Sequence, residues 1–335
     1  MSRFWVGVDV SKRKLDVALM DERGKYKSRV FDNAAAGHSA LMTWLVERGA
    51  SVTGTHVCLE STGPYSDGPA TALADAGWRV SVVNPARVKG FAQSELVRNK
   101  TDRSDATLLA RFCAALEPEV WEPAPLEYRQ LRALVDRLEA LTEMHQQELN
   151  RLEGHEQAAD EPAIASIHQH LQWLQARMAE LQRQIDDHID GHPKLRDDAE
   201  LMRTIPGVGD KTIAKVMAYV GDVRRFKSAK ALAAFIGVTP RLKESGSSVK
   251  GRTMMSRTGH KAARQALYMP GVVAMKYNPT IKAMRERLLA GGMAKKAIVG
   301  ASMRKLVHQI FAIVRSGKPF DPSMAAARLD FQDGI

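Results

Sequence analysis

Three strand-length segments, separated by nothing longer than a tight turn, open the chain and constrain its fold more than any other feature. Phe4-Trp5-Val6-Gly7-Val8-Asp9-Val10 leads into Leu15-Asp16-Val17-Ala18-Leu19-Met20, and Ser28-Arg29-Val30-Phe31 follows a Glu22-Arg23-Gly24-Lys25 turn. Alternating runs of this length, bounded by turn formers, predict an antiparallel meander. Next come a short helix from Leu41 to Glu47, a fourth strand over Thr55–Glu60 and a helix from Pro69 to Ala76. A fifth strand, Arg79–Val83, is stopped by Asn84-Pro85, and a helix runs from Thr101 to Ala115. The order βββαβαβα is that of a ribonuclease-H-like α/β domain, expected over residues 1–120.

A different period takes over downstream. Leu131, Leu134, Leu138 and Leu141 have three–four spacing, and Ile164, Ile167, Leu171, Leu174, Met178, Leu181 and Ile185 repeat it after an interruption. The pattern predicts a helical coiled-coil connector over residues 121–195, closing either as an internal hairpin or between subunits. His145, His168, His170 and His188 on these helices read as surface residues rather than ligands.

Charge then divides the molecule. From Arg203 to Phe320 there are 24 Lys and Arg against four acids, about +20, whereas the remainder holds 25 basic residues (49 minus 24) and 34 acidic ones (38 minus 4), about −9. So lopsided a field predicts that the C-terminal part, residues 196–325, is a basic and mainly helical domain that grips a polyanion. It opens with Thr204-Ile205-Pro206-Gly207-Val208-Gly209-Asp210-Lys211-Thr212. Gly-Val-Gly between an apolar residue and a helix predicts a helix-hairpin-helix turn, whose free N–H groups can hold a DNA phosphate. Lys211, Arg241, Lys243, Lys250, Arg252, Arg257 and Lys261 are the candidate phosphate contacts, and their density carries that reading.

No run approaches eighteen apolar residues, and the first residues lack a signal peptide's apolar core, so no membrane partner is expected. Cys58 and Cys113 are the only cysteines, which fits a reducing compartment and predicts a cytoplasmic protein. Two cysteines alone make no metal-ligand pattern, and both read as buried thiols.

Four acids stand where a metal centre would need them. Asp9 lies on the first strand, Glu60 ends the fourth, and Asp102 and Asp105 are three apart at the start of a helix, on one face of it. In a ribonuclease-H-like sheet the first strand is central with the fourth beside it, so Asp9 and Glu60 would converge opposite that helix. Hard oxygen donors suit Mg²⁺ or Mn²⁺, which polarise a phosphate and lower the pKa of an attacking group. A helix cap for Asp102, a turn for Asp9 and a surface charge for Glu60 are the competing readings.

These segments also carry a resemblance. V-G-V-D-V-S-K, C-L-E-S-T-G-P-Y, N-P-A-R-V-K-G-F-A-Q-S, N-K-T-D-R-S-D-A, I-P-G-V-G-D-K-T, G-V-T-P-R-L-K-E-S-G-S-S-V-K-G-R and M-S-R-T-G-H-K-A-A-R-Q-A-L-Y-M-P occur in order from about residue 4 to about 320. Together they resemble the insertion-sequence one-ten family of transposases. The resemblance implies a RuvC-like N-terminal domain whose Asp-Glu-Asp-Asp metal site maps to Asp9, Glu60, Asp102 and Asp105. It implies a C-terminal transposase domain with a catalytic serine at Ser245. It further implies donor and target DNA as substrates, a structured non-coding guide RNA from the element, and homo-oligomers. These would be dimers, assembling into tetramers on DNA, with active sites shared between subunits. Taken alone, the segment around Ser245 reads as a flexible serine-rich loop in which Ser247 and Ser248 are rivals. A serine hydroxyl must be activated to attack, and a phosphoserine link would conserve the phosphodiester energy.

Three other functions fit part of the pattern. A hydrolytic RuvC-like nuclease or junction resolvase would use the same acids with water as nucleophile. An actin-like kinase would need later glycine-rich nucleotide loops, which the sequence lacks. A non-catalytic nucleic-acid-binding protein would not need the acids.

Overall fold

The computed structural model describes residues 3–61, 63–95, 102–241, 244–245, 249–250, 254–256 and 258–323. The chain divides into two compact units, Met1–Pro123 and Ala124–Ile335.

The first unit is a five-stranded mixed sheet covered on both faces. Its strands are β1 (Phe4–Val10), β2 (Lys14–Asp21), β3 (Tyr26–Asp32), β4 (Thr55–Glu60) and β5 (Arg79–Val83), in the order β3-β2-β1-β4-β5. The meander pairs antiparallel, while β1–β4 and β4–β5 are parallel. β1 is therefore central, and its apolar run Val6-Gly7-Val8 is buried. One face packs Val6, Val8, Val17, Val57 and Leu59 against α1 (Ala35–Glu47) and α2 (Pro64–Asp75) through Leu41, Trp44, Leu45 and Leu73. The opposite face packs Cys58 and Val83 against α3 (Pro85–Ser94) and α4 (Asp102–Leu116).

Three elements differ from the sequence reading. α1 starts six residues before Leu41, in an Ala- and Gly-rich stretch with little apolar period. α2 starts at Pro64 and carries Pro69 inside it, because Pro64 takes the first helical position, where a missing N–H costs nothing. α3 was not expected, although its signal is present: the Asn84 side chain caps Ala86 N at 2.8 Å and Pro85 follows.

The second unit is helical. α5 (Leu126–Ala158) and α6 (Glu161–Gly191) pack on each other as a hairpin within the chain, turning at Ala159 in the left-handed region (φ 57°). At the root of the hairpin, Tyr128, Leu131, Val135, Ile185 and Ile189 join one core with α7 (Pro193–Arg203), α8 (Asp210–Val220) and α9 (Ala229–Ile236). Short strands β6 (Pro240–Arg241), β7 (Glu244–Ser245), β8 (Val249–Lys250) and β9 (Met254–Met255) follow. Helices α10 (Lys261–Ala266), α11 (Tyr268–Tyr277), α12 (Pro279–Ala290) and α13 (Lys295–Ser316) complete the unit. Among the described residues α13 alone is long and apolar enough to cross a bilayer, yet it buries Ile298, Met303, Leu306 and Ile310 in the unit's core.

Candidate metal centre

Side chains alternate along a strand, so Trp5, Gly7 and Asp9 share one face of β1. That face is the one under α4: a Cβ on Gly7 would run into the backbone of Ala106 and Ala110. Only glycine admits so close an approach. Further along the helix, Cys113 Sγ reaches His56 O at 3.5 Å, and His56 pairs with Trp5. α4 therefore runs opposite to β1. Its first turn, Asp102 to Asp105, arrives at the end of the sheet where Asp9 and Glu60 lie.

The strand register sets the acids side by side. Val8 pairs with Leu59 in the parallel β1–β4 ladder, so Asp9 and Glu60 are the next residues on neighbouring strands, about 4.8 Å apart in backbone spacing. On the other side Asp9 pairs directly with Asp16 of β2. Cross-strand partners point to the same face, which puts Asp16, Asp9 and Glu60 in one row across three strands. Asp9, Glu60 and Asp105 are half-buried, and Asp16 is 8% exposed. The side chain of Asp102 lies outside the described residues.

Asp16 is the acid that sequence reasoning missed. Its signal was a lone carboxylate within the apolar run Leu15 to Met20, on the strand that neighbours Asp9. Lys14 Nζ meets its Oδ2 at 3.1 Å. Asp16 also lines a pocket with Ser28, Arg29, Val30 and Ala106, beside the same helix.

The loops behind this row are tied to each other. Asn33 Nδ2 donates to Ser11 O at 2.9 Å, just past β1, and to Tyr65 O at 3.1 Å, in the first turn of α2. His38 Nε2 lies 2.9 Å from Asn33 Oδ1, and burial lowers the pKa of His38, so the neutral ring donates there. Gly63, with φ 83°, makes the turn between β4 and α2.

Side-by-side carboxylates repel, and a divalent ion offsets that cost. The all-oxygen donor set is the kind Mg²⁺ and Mn²⁺ take. Among the described residues these acids line the face without gathering three ligand atoms within 4.8 Å, so side-chain rotation would accompany binding.

The remaining candidates lie in the second unit. Ser245 is on β7 and pairs with Val249; one tier below, Pro240 and Arg241 pair with Met255 and Met254. The base of this arm is tightly held. Ser256 N donates to Thr239 O at 2.8 Å, His260 N to Phe235 O at 2.7 Å, and Arg264 Nη1 to Ile236 O at 3.1 Å. Gly237 (φ 82°), which ends α9, and Gly259 (φ 143°), just before α10, press against each other's backbone segment, where a side chain would collide. His260 accepts from Ala263 N through Nδ1 at 3.2 Å; burial, more than its basic neighbours, lowers its pKa. Lys211, Arg241 and Lys261 are exposed. Lys250 lies on β8, whereas Lys243, Arg252 and Arg257 fall outside the described residues. Between α7 and α8, Gly207 adopts φ 98° against Ala274, and Arg203 Nε donates to Asp210 Oδ1 at 2.8 Å.

Two transposase family models match the chain. Residues 6–157 match a DEDD transposase family of the IS110 type, and residues 199–286 match the transposase IS116/IS110/IS902 family. The chain is 31% identical over 322 residues to the pilin gene-inverting protein of Moraxella bovis, covering 96% of this chain and 98% of that protein. It is 25% identical to the transposase for insertion sequence element IS1111A of Coxiella burnetii, over 72% of this chain and 70% of that protein.

Proposed function

Because the chain belongs to the IS110 family of transposases, we propose that it cleaves and exchanges DNA strands using the carboxylate row of its first unit and Ser245 of its second. It is a DNA-recombining enzyme of the transposase class, with DNA as substrate. One observation carries the finer reading: Asp9, Asp16 and Glu60 lie abreast on adjacent strands at the end of the sheet that receives the first turn of α4. A central β1 flanked by β2 and β4 supports a RuvC-like assignment, and the Gly207–Gly209 turn supports a helix-hairpin-helix contact with a phosphate.

Asp9, Glu60, Asp102 and Asp105 would hold Mg²⁺ or Mn²⁺. Such an ion, when bound, polarises the scissile phosphate and makes a hydroxyl a better nucleophile. Asp16, held by Lys14, adds negative potential beside Asp9, its cross-strand partner. Ser245 Oγ attacks phosphorus; the Oγ–P bond forms as the bond to the leaving sugar oxygen breaks. The serine proton passes to base and the leaving oxygen takes one up, so the reverse attack rejoins strands without an external energy source. Lys211, Arg241, Lys243, Lys250, Arg252, Arg257 and Lys261 hold backbone phosphates, and target choice falls to base pairing with an element-encoded RNA. Exposed Met144, Leu149 and Trp173 on the hairpin supply an apolar surface for a homo-oligomer.

Incubation with Mg²⁺, the element's flanking RNA and donor DNA, followed by denaturing electrophoresis, tests the scheme. A protein–DNA adduct lost in Ser245→Ala and in Asp9→Asn is expected. Cleavage without an adduct, persisting in Ser245→Ala, identifies a hydrolytic nuclease instead.

A further inference from the structure

Deeper on the α4 face of the sheet lies a second cluster that the acids do not use. His56 and Cys58 are two apart on β4 and point to the same side as Glu60. α4 brings Cys113 onto them. One ligand atom from each of the three residues lies within 4.8 Å of the others, and the residues are 3%, 0% and 0% exposed.

The histidine is prepared for a ligand's role. Its Nε2 lies 2.8 Å from Ser81 Oγ, and that hydroxyl has Pro118 O and Glu119 O at 3.0 and 2.8 Å. A serine has one proton, which goes to a carbonyl, so Ser81 accepts from the ring and Nε2 carries the hydrogen. Nδ1 is then the lone-pair nitrogen. A ring nitrogen whose partner N–H is anchored in this way is the usual arrangement behind metal-binding histidines.

We propose that His56, Cys58 and Cys113 form a structural site for a thiophilic cation, Zn²⁺, that clamps α4 to β4. Zn–S of about 2.3 Å and Zn–N of about 2.0 Å place donor atoms at tetrahedral angles about 3.5–3.8 Å apart, the three residues filling three of the four positions. Closing the cluster to that spacing takes shifts of about 1 Å or less, within reach of side-chain rotation. Two thiolates and a neutral imidazole sum with Zn²⁺ to zero charge, the state that the surrounding Val83, Leu109 and Phe112 tolerate best. The same balance disfavours Cu⁺, which would leave one negative charge in an apolar shell. Sulfur and nitrogen donors also separate this site from the all-oxygen row above it. In the absence of a cation, the hydrogen bond with Cys58 and then burial push the Cys113 thiol well above the usual range. Thiolates, not thiols, bind the metal, so binding is coupled to proton release.

The placement gives the site a purpose. Cys58 precedes Glu60 by two residues on β4, and Cys113 follows Asp105 by two turns on α4. A clamp between them fixes the strand that carries Glu60 and the helix that carries Asp102 and Asp105.

Full-length protein purified under reducing conditions tests the idea by elemental analysis and by titration of the metal-stripped chain with Co²⁺. About one zinc per chain and a sulfur-to-cobalt charge-transfer band are expected. Asp9→Asn keeps both, Cys113→Ser loses both, and zinc raises the melting temperature of the wild type. Should Cys113→Ser fail to fold, the wild-type Co²⁺ spectrum still decides. Absence of the band, zinc that persists in Cys113→Ser, or a Cys58–Cys113 disulfide in the purified chain overturns the proposal.

Discussion

The two units present their candidate chemistry by opposite means. In the first, the acids stand on long central strands whose ladders continue on both sides, and a helix lies so close that only Gly7 fits beneath it. In the second, the serine is carried on two-residue strands, and the order of the arm comes from contacts at its base: Gly237, Gly259, Arg264 and the Thr239–Ser256 bond. Register positions the one and anchorage positions the other. A row of metal ligands needs fixed spacing, whereas a nucleophile that forms and releases a covalent link needs room around it.

That contrast can be broken experimentally. The largest effect is expected at the row itself: Asp9→Asn or Glu60→Gln should slow strand cleavage by about three orders of magnitude, the several kcal/mol that a bound metal supplies. Melting should barely change, since side-by-side like charges are relieved. Gly7→Val comes next. Its side chain meets the backbone of Ala106 and Ala110, and about 3 kcal/mol should disappear from the first unit, read by hydrogen exchange confined to β1 and α4. Gly259→Ala should cost about 2 kcal/mol through its left-handed φ of 143° and its contact with Phe235. That change should lower adduct yield while leaving amide protection in the first unit intact. Asp16→Asn should weaken Mg²⁺ binding about tenfold, as loss of a ligand's supporting partner generally does, measured from the Mg²⁺ dependence of cleavage.

The smallest effect is a pH dependence of the second unit's stability. His308 has no partner for Nε2 among the described residues, and burial followed by Arg304 and Lys305 lowers its pKa to about 4. His260, in the same unit, is lowered as well. Unfolded imidazoles take up protons near 6.5, so between 6.5 and about 4 the unfolded chain binds more of them than the folded one. Stability is then full above the unfolded value and drains away as pH falls. Partial exposure limits the loss to about 1 kcal/mol, or roughly 3 °C, and His308→Gln should flatten it. A melting curve indifferent to pH over that window would show that His308 is protonated in the folded chain.

Much of the first unit could be read from the chain. Period-two runs in residues 4–31 and the apolar 55–60 and 79–83 segments mark the five-strand pattern, because alternation and burial leave a direct trace in residue order. α3 is hard to read from the chain because Asn84-Pro85 both stops a strand and, with asparagine as cap and proline at the first helical position, begins a helix. The heptads on α5 and α6 were visible, but whether they close within the chain or between chains was not; apolar period alone does not name its partner. The structure pairs them with each other.

By itself, the sequence determined the kinds of groups available: carboxylates at strand ends and at a helix start, a basic C-terminal part, and motifs specific enough to mark the family. Only the tertiary structure decided which groups are neighbours. Asp16 became a partner of Asp9 through antiparallel register, and His56 joined two cysteines 55 positions apart (113 minus 58) through the packing of α4 on β4. The physical reason is the same in both cases. Residue type and local period are written along the chain, whereas side-chain proximity depends on ladder register and helix placement, which cooperative packing of the whole unit sets at once.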